Sequence, residues 1–256
     1  MASPAPLENP HAQVRIVRDG EEDLVAVEEP LEIRVDGRPL AVTMRTPGHD
    51  EELALGFLHG EGLIGGPLPV GPAADFAGNV VEVEGPLACE PSPRSFYATS
   101  SCGVCGKGAI EHVAVLSEPV RGGPRVARAL LAELPERLRQ PAFALTGGLH
   151  ATGLFNARGE LLVAREDVGR HNAMDKVIGW ALREGLVPLT DYMLCVSGRL
   201  SFELVQKAAL ARCPVLVGVG APSSLAIELA AERGLTLAGF ARGGRVNVYT
   251  GAERVA

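Results

Sequence analysis

The chain has 256 residues, 46% of them hydrophobic, 21% charged and 4% aromatic, with a formal net charge of −7. That length supports one large or two modest cores. The scarcity of aromatic rings and the negative balance argue against a nucleic-acid binder that works by base stacking or bulk electrostatics. No apolar run reaches the length of a membrane-spanning helix, so no membrane association is expected. The N-terminus lacks a charged stretch followed by an apolar one, and a signal peptide is not expected. Five cysteines, an odd number, do not look like a secreted disulfide framework, which favours a reducing, cytoplasmic location.

Residues 1–12 are polar and Pro-rich and are expected to be disordered. A smaller β-rich N-terminal domain is expected over residues 13–125. It opens with the alternating runs "QVRIVRDG", "EDLVAVEEP" and "LEIRVDGRPLAVTMRT", punctuated by Asp-Gly and Pro turns. "PGHDEELALGFLHGEGLI" reads as a helix, with Asp50, Glu51 and Glu52 in its first turn and Leu53, Phe57 and Leu58 near one face. Residues 65–95 read as loop, with one strand in "NVVEVEG".

An α/β domain is expected over residues 126–256. "RVARALLAELPERLRQ" predicts a helix that Pro135 kinks or ends. "FALTGGLHATGLF" and "GELLVARED" read as strands. "GRHNAMDKVIGWALREG" reads as a helix stopped by Gly185. "DYMLCVSG" and "PVLVGVG" are continuous apolar runs, as in strands covered on both faces. Helices follow each of them in "LSFELVQKAALAR" and "APSSLAIELAAERG", and "LTLAGFA" and "RVNVYTG" read as closing strands. The expected class is α/β, a mixed sheet covered by helices.

The residues with chemistry fall in a few places. "SSCGVCGK" holds Cys102 and Cys105 in a Gly-rich stretch. The pair could supply half of a zinc site, with Cys89 and His112 as distant further ligands. It could also form a redox disulfide, or carry a group on a nucleophilic sulfur. Cys195 and Cys213 sit in or beside apolar strands and read as core. "AREDVGRHNAMDK" gathers Arg165, Glu166, Asp167, Arg170, His171, Asn172, Asp175 and Lys176 at a strand-to-helix junction. Such a junction is a place for a ligand or, alternatively, a solvated helix start. Ser223 and Ser224 open a helix and can hold an anion or act as caps. Arg199 and Ser201 sit at another strand-to-helix turn. Arg242 and Arg245 flank Gly243 and Gly244, which suits phosphate oxygens or a plain exposed hairpin.

Together, "TPGHDEELALGFLHGEG", "SSCGVCGK", "TGGLHATGLF", "AREDVGRHNAMDKVIG", "SGRLSFELVQKAA" and "APSSLAIELAAERGLTLAGFARGGRVNVYT" resemble the FdhD family of sulfur carriers for formate dehydrogenase maturation. The resemblance runs from about residue 15 to residue 251, with the motifs in the family's order. It implies a sulfurtransferase that takes persulfide sulfur from a cysteine desulfurase on Cys102. The sulfur then passes to the molybdenum cofactor, bis(molybdopterin guanine dinucleotide), before insertion into formate dehydrogenase. It assigns cofactor binding to Phe240, Ala241, Arg242, Gly243, Gly244 and Arg245. Ser223, Ser224, Asp167 and His171 are added from the charge pattern. GDP-like nucleotides are expected ligands because they share part of the cofactor's shape. The resemblance also implies a homodimer and a C-terminal domain similar in fold to cytidine deaminases. A zinc deaminase is disfavoured, because "GRHNAMDK" and "SGRLSFELV" lack its ligand pattern, and no structural metal is expected. A cofactor-binding chaperone that does not use Cys102 is the alternative. In the sulfur reading, Cys105 could release or protect the sulfur by forming a disulfide, and Lys107 is the nearest base in sequence.

Overall fold

The computed structural model describes residues 9–74, 78–89 and 117–256. Cys102, Cys105, Lys107 and His112 lie outside the described residues. Among the described residues no helix is long and apolar enough to cross a membrane.

The molecule is a mixed α/β structure. Strands β1 (Gln13–Arg18) and β2 (Glu21–Ala26) form an antiparallel hairpin. Strands β3 (Glu29–Val35), β4 (Arg38–Arg45), β5 (Val70–Pro72) and β6 (Val80–Val83) make a four-stranded sheet in the order β4-β3-β6-β5. Helix α1 (Asp50–Gly60) lies between β4 and β5 in the chain.

The second half of the chain builds a six-stranded sheet in the order β12-β11-β10-β9-β7-β8. Its strands are β7 (His150–Asn156), β8 (Leu161–Asp167), β9 (Tyr192–Val196), β10 (Val215–Gly218), β11 (Thr236–Arg242) and β12 (Arg245–Thr250). The three central strands β9, β10 and β11 run parallel, and the outer pairings are antiparallel. The helices are α2 (Arg128–Arg137), α3 (Pro141–Thr146), α4 (Arg170–Arg183), α5 (Phe202–Leu210) and α6 (Ser224–Glu232).

Side-chain alternation along β9 and β10 explains why their sequences are apolar almost throughout. Leu194, Val196, Leu216 and Leu237 join one core with Met174, Val177 and Ile178 of α4, Leu204 and Val205 of α5, and Leu229 of α6. Met193, Cys195, Val215, Val217 and Ala238 face the other way and pack with Leu131 and Leu134 of α2. With period-2 geometry, two covered faces leave no polar positions in the strand.

The first core continues without a break into the N-terminal half, through Leu53, Ala54, Leu55 and Leu58 of α1 to Leu31, Ile33, Val81 and Val83. The two halves meet where α1 crosses α4, and the crossing is backbone on backbone. A Cβ on Gly56 would lie 1.9 Å from the carbonyl oxygen of Asp175, and one on Gly179 would lie 1.8 Å from that of Glu52. No side chain fits at either position.

Two local details differ from the sequence expectation. "FALT" is not strand; Pro141–Thr146 is the short helix α3. Pro141 presets the first turn, and the Glu166 carboxylate accepts the Ala142 and Phe143 amides at 2.9 and 2.7 Å. That cap comes from β8, so nothing local announces it. Pro135 does not stop α2 at once; it sits in the last turn, and the helix ends two residues later at Arg137.

Candidate functional site

Strand register brings most of the singled-out residues to one end of the six-stranded sheet. His150 at the start of β7 pairs with Asp167 at the end of β8, and Thr152 pairs with Val196 at the end of β9. Val196 pairs in turn with Gly218, and Val217 with Ala238. The turns after β8, β9 and β10 and the tip of the β11–β12 hairpin therefore share one edge. The ladder continues past the strands: Gly220 N–H donates to Gly198 O at 2.9 Å, and Phe240 N–H donates to Gly220 O at 3.1 Å. In open α/β sheets the crevice beyond the carboxyl ends of parallel strands is where ligands bind.

The hairpin tip is the most exposed part of this edge. Gly243 and Gly244 have φ of 56° and 73°, the left-handed pair that a two-residue hairpin turn requires. The turn sets Arg242 directly opposite Arg245. Like charges in a cross-strand pair repel, and among the described residues neither guanidinium has a carboxylate partner. Ala241 is buried, anchoring the hairpin in the second core. Phe240 lies within a register shift, has φ of 54°, and keeps half of its ring exposed. A bulky residue held in the left-handed region next to solvent is the kind of strain that marks ligand contacts. Tyr249 approaches Gly239 from β12, with a ring carbon 3.3 Å from where a Cβ of Gly239 would stand. It puts a second aromatic ring beside the edge, which the sequence reading did not single out.

Ser223 and Ser224 are exposed at the start of α6. Ser223 Oγ accepts the Ala226 amide at 3.2 Å, so the capping role is filled. The Ser223 amide donates to Leu200 O and ties this turn to the one after β9.

The polar run 165–176 divides in two. Arg165, Asp167, Asn172, Asp175 and Lys176 are buried. Asp167 sits 2.7 Å from Lys176 Nζ, and it also accepts from the amides of Thr46 and Gly169 and from Asn172 Nδ2. Lys176 donates to Thr46 O, and Asn172 to Met44 O. Arg165 grips Glu52 of α1 with two parallel hydrogen bonds of 2.6 and 2.9 Å. These groups brace the end of β4 and α1 against the β8–α4 junction.

Arg170 and His171, in the first turn of α4, stay at the sheet end. His171 Nε2 lies 3.2 Å from Ser201 Oγ and 3.7 Å from a Glu203 carboxylate oxygen. Both partners approach the same ring nitrogen, so this is not a nucleophile–base–acid relay, which needs them on opposite nitrogens. The His171 ring beside it holds the Glu203 carboxyl down to about 2. His150 also faces this end. Burial, then the charges of Arg170 and His171, push its pKa below the usual histidine range. Sequence reading missed His150, a lone histidine with no informative spacing.

The described cysteines differ sharply. Cys195 and Cys213 are fully buried. Burial raises both thiols, Cys213 to about 12, so neither supplies a thiolate at neutral pH. Cys89 is exposed. Among the described residues no group of three or more His, Cys, Asp or Glu side chains is arranged to hold a metal ion. A cavity of about 260 Å³ lined by Ile64, Pro67, Leu68 and Leu87 lies on the N-terminal half, away from this edge.

The profile of the FdhD/NarQ family matches residues 26–256. The chain belongs to the FdhD/NarQ family. Relatives within it include a protein from Nocardia farcinica named sulfur carrier protein FdhD. It is 51% identical over 94% of this chain and 92% of its own length. A protein of the same name from Streptomyces coelicolor is 50% identical over 94% of this chain and 93% of its own. A solved structure from Desulfotalea psychrophila, provisionally described as a formate dehydrogenase accessory protein, superposes with a TM-score of 0.76. It is 27% identical and covers 95% of this chain and 98% of that one. The FdhD/NarQ match spans every element of the sheet edge, together with Cys102 and Cys105.

Proposed function

We propose that this protein is a sulfur carrier in formate dehydrogenase maturation, with Cys102 as the carrying residue. The Cys102 thiolate attacks the outer sulfur of a cysteine desulfurase persulfide. The donor's S–S bond breaks, its cysteine leaves as the thiol, and Cys102 holds the persulfide. Attack of the Cys105 thiolate on the inner sulfur then forms a Cys102–Cys105 disulfide and releases the outer sulfur as hydrosulfide. That step supplies the two electrons that sulfide requires, and a dithiol reductant restores both cysteines. The acceptor is the molybdenum cofactor, bis(molybdopterin guanine dinucleotide), bound as substrate at the sheet edge. Arg242 and Arg245 meet its phosphates there and Phe240 offers a face to its guanine.

The observation that carries this reading is the match to relatives named sulfur carriers over a stretch containing both cysteines. The exposed, uncompensated Arg242–Arg245 pair supports an anionic ligand. The inertness of Cys195 and Cys213 supports placing the sulfur elsewhere.

Intact mass after incubation with a desulfurase and cysteine tests it. One sulfur, removable by reductant, is expected on the wild type and on Cys89→Ala, and none on Cys102→Ala. Full uptake by Cys102→Ala overturns the assignment. In parallel, calorimetry with GDP should show affinity at least about tenfold weaker in Arg245→Ala, from loss of a charge-assisted hydrogen bond, with loading unchanged. Unchanged GDP affinity in the Arg242→Ala/Arg245→Ala variant places the nucleotide elsewhere.

A further inference from the structure

The sheet edge carries more positive charge than the hairpin accounts for. On the far side of the turn after β9, four basic side chains converge from three elements. His150 comes from the start of β7, Arg170 and His171 from the first turn of α4, and Arg199 from the turn after β9. His150 packs against Gly198: a Cβ there would lie 3.4 Å from His150 Nδ1, an ordinary contact. Gly220 in turn backs Arg199, since a Cβ there would lie 3.0 Å from the Arg199 Cα. The Arg199 backbone thus stands between the His150 side and the hairpin side of the edge, with its side chain exposed.

The nearby carboxylates are already committed. Asp167 is paired with buried Lys176, and Glu203 serves His171. Among the described residues Arg170 and Arg199 have no ion-pair partner. Arg170 Nε is buried with no hydrogen-bond acceptor, an arrangement that is costly unless a ligand supplies one. The suppressed protonation of His150 reports the same surplus of positive charge in a partly desolvated place.

We propose that His150, Arg170, His171 and Arg199 form a second oxyanion subsite, distinct from the Arg242/Arg245 hairpin. It would hold an oxyanion, either a phosphate group or the oxo ligands of a metal centre. β7 and β11 are three strand positions apart, which separates His150 from the base of the hairpin by roughly 14 Å at ordinary strand spacing, and Arg199, after β9, lies between them. The ligand that fills the edge is long and anionic at two separated points. This deepens the proposed function and rests on its reading of the edge as an anionic cofactor site.

The test is calorimetry on the full chain with inorganic phosphate and with molybdate, and with GDP as the hairpin probe. Wild type is expected to bind at least one of the two oxyanions. Arg170→Gln/Arg199→Gln should weaken that binding tenfold or more and change GDP affinity less than threefold. Arg242→Ala/Arg245→Ala should do the reverse. Tighter phosphate assigns the subsite to a phosphate group, and tighter molybdate assigns it to the metal end. NMR titration of wild-type His150 gives a readout that needs no variant: its pKa should rise when the oxyanion is bound. The proposal is overturned if neither oxyanion binds wild type, if Arg170→Gln/Arg199→Gln leaves affinity unchanged, or if the hairpin variant loses it equally. Persulfide loading on Cys102 is scored separately. A chain that binds the oxyanion here without loading sulfur would sink the carrier reading and leave the subsite standing.

Discussion

The Asp167 carboxylate and the Lys176 ammonium lie 2.7 Å apart, and neither reaches solvent. Each also holds backbone of the β4 end at Thr46, so the pair joins the N-terminal half to the β8–α4 end of the sheet. It fixes the β8–α4 turn, and in the proposed site it would position Arg170 and His171, which stand on that turn.

Breaking such a pair strands a charge in the interior. Lys176→Met removes the ammonium at nearly constant volume and should destabilise the protein by about 3–5 kcal/mol. Urea denaturation measures it. A loss below about 1 kcal/mol would mean that the three remaining hydrogen bonds to Asp167 satisfy it alone.

The α1–α4 crossing makes an equally sharp prediction. Gly179→Ala drives a methyl into the Glu52 carbonyl and should cost about 3 kcal/mol. Gly66→Ala, where a Cβ meets open space, should stay within about 0.5 kcal/mol. Equal melting temperatures for the two variants would refute the close crossing.

Phe240 separates strain from packing. Glycine adopts its left-handed conformation freely, so Phe240→Gly should not lower stability while it weakens GDP binding. A stability loss above about 1 kcal/mol would show that the ring is a packing anchor rather than a ligand platform.

Glu203 titrates near pH 2 in the folded protein, against 4.5 for an ordinary glutamate. Because the folded value is depressed, its stabilising contribution is fully present above about pH 4.5. It is lost as pH falls toward 2. Carboxyl NMR of His171→Ala should show the Glu203 midpoint moving up toward 4.5. A midpoint that stays near 2 would assign the depression to other donors.

Much of this was legible in the sequence, for physical reasons. "DYMLCVSG" and "PVLVGVG" reveal two-sided strands because both of their faces are covered, and the helices between them follow from periodicity and caps. The hairpin at Gly243 and Gly244 is legible because few other residues tolerate that turn. The run 165–176 looks like one site in sequence because proximity along the chain hides direction. Helical geometry turns Asn172 and Lys176 inward, one turn apart, while Arg170 and His171 remain at the edge. His150 and the cap on α3 depend on strand pairings between distant segments, and no local pattern encodes those.

The close approach at Gly56 and Gly179 leaves no solvent layer between α1 and α4. Loosening either half uncovers apolar surface on the other, so order is gained and lost as one cooperative unit. A fragment beginning at residue 126 would carry α4 with its α1-facing side bare, and it would be prone to self-association and proteolysis. The candidate sheet edge, built entirely on that fragment, therefore depends on a helix from the opposite end of the chain.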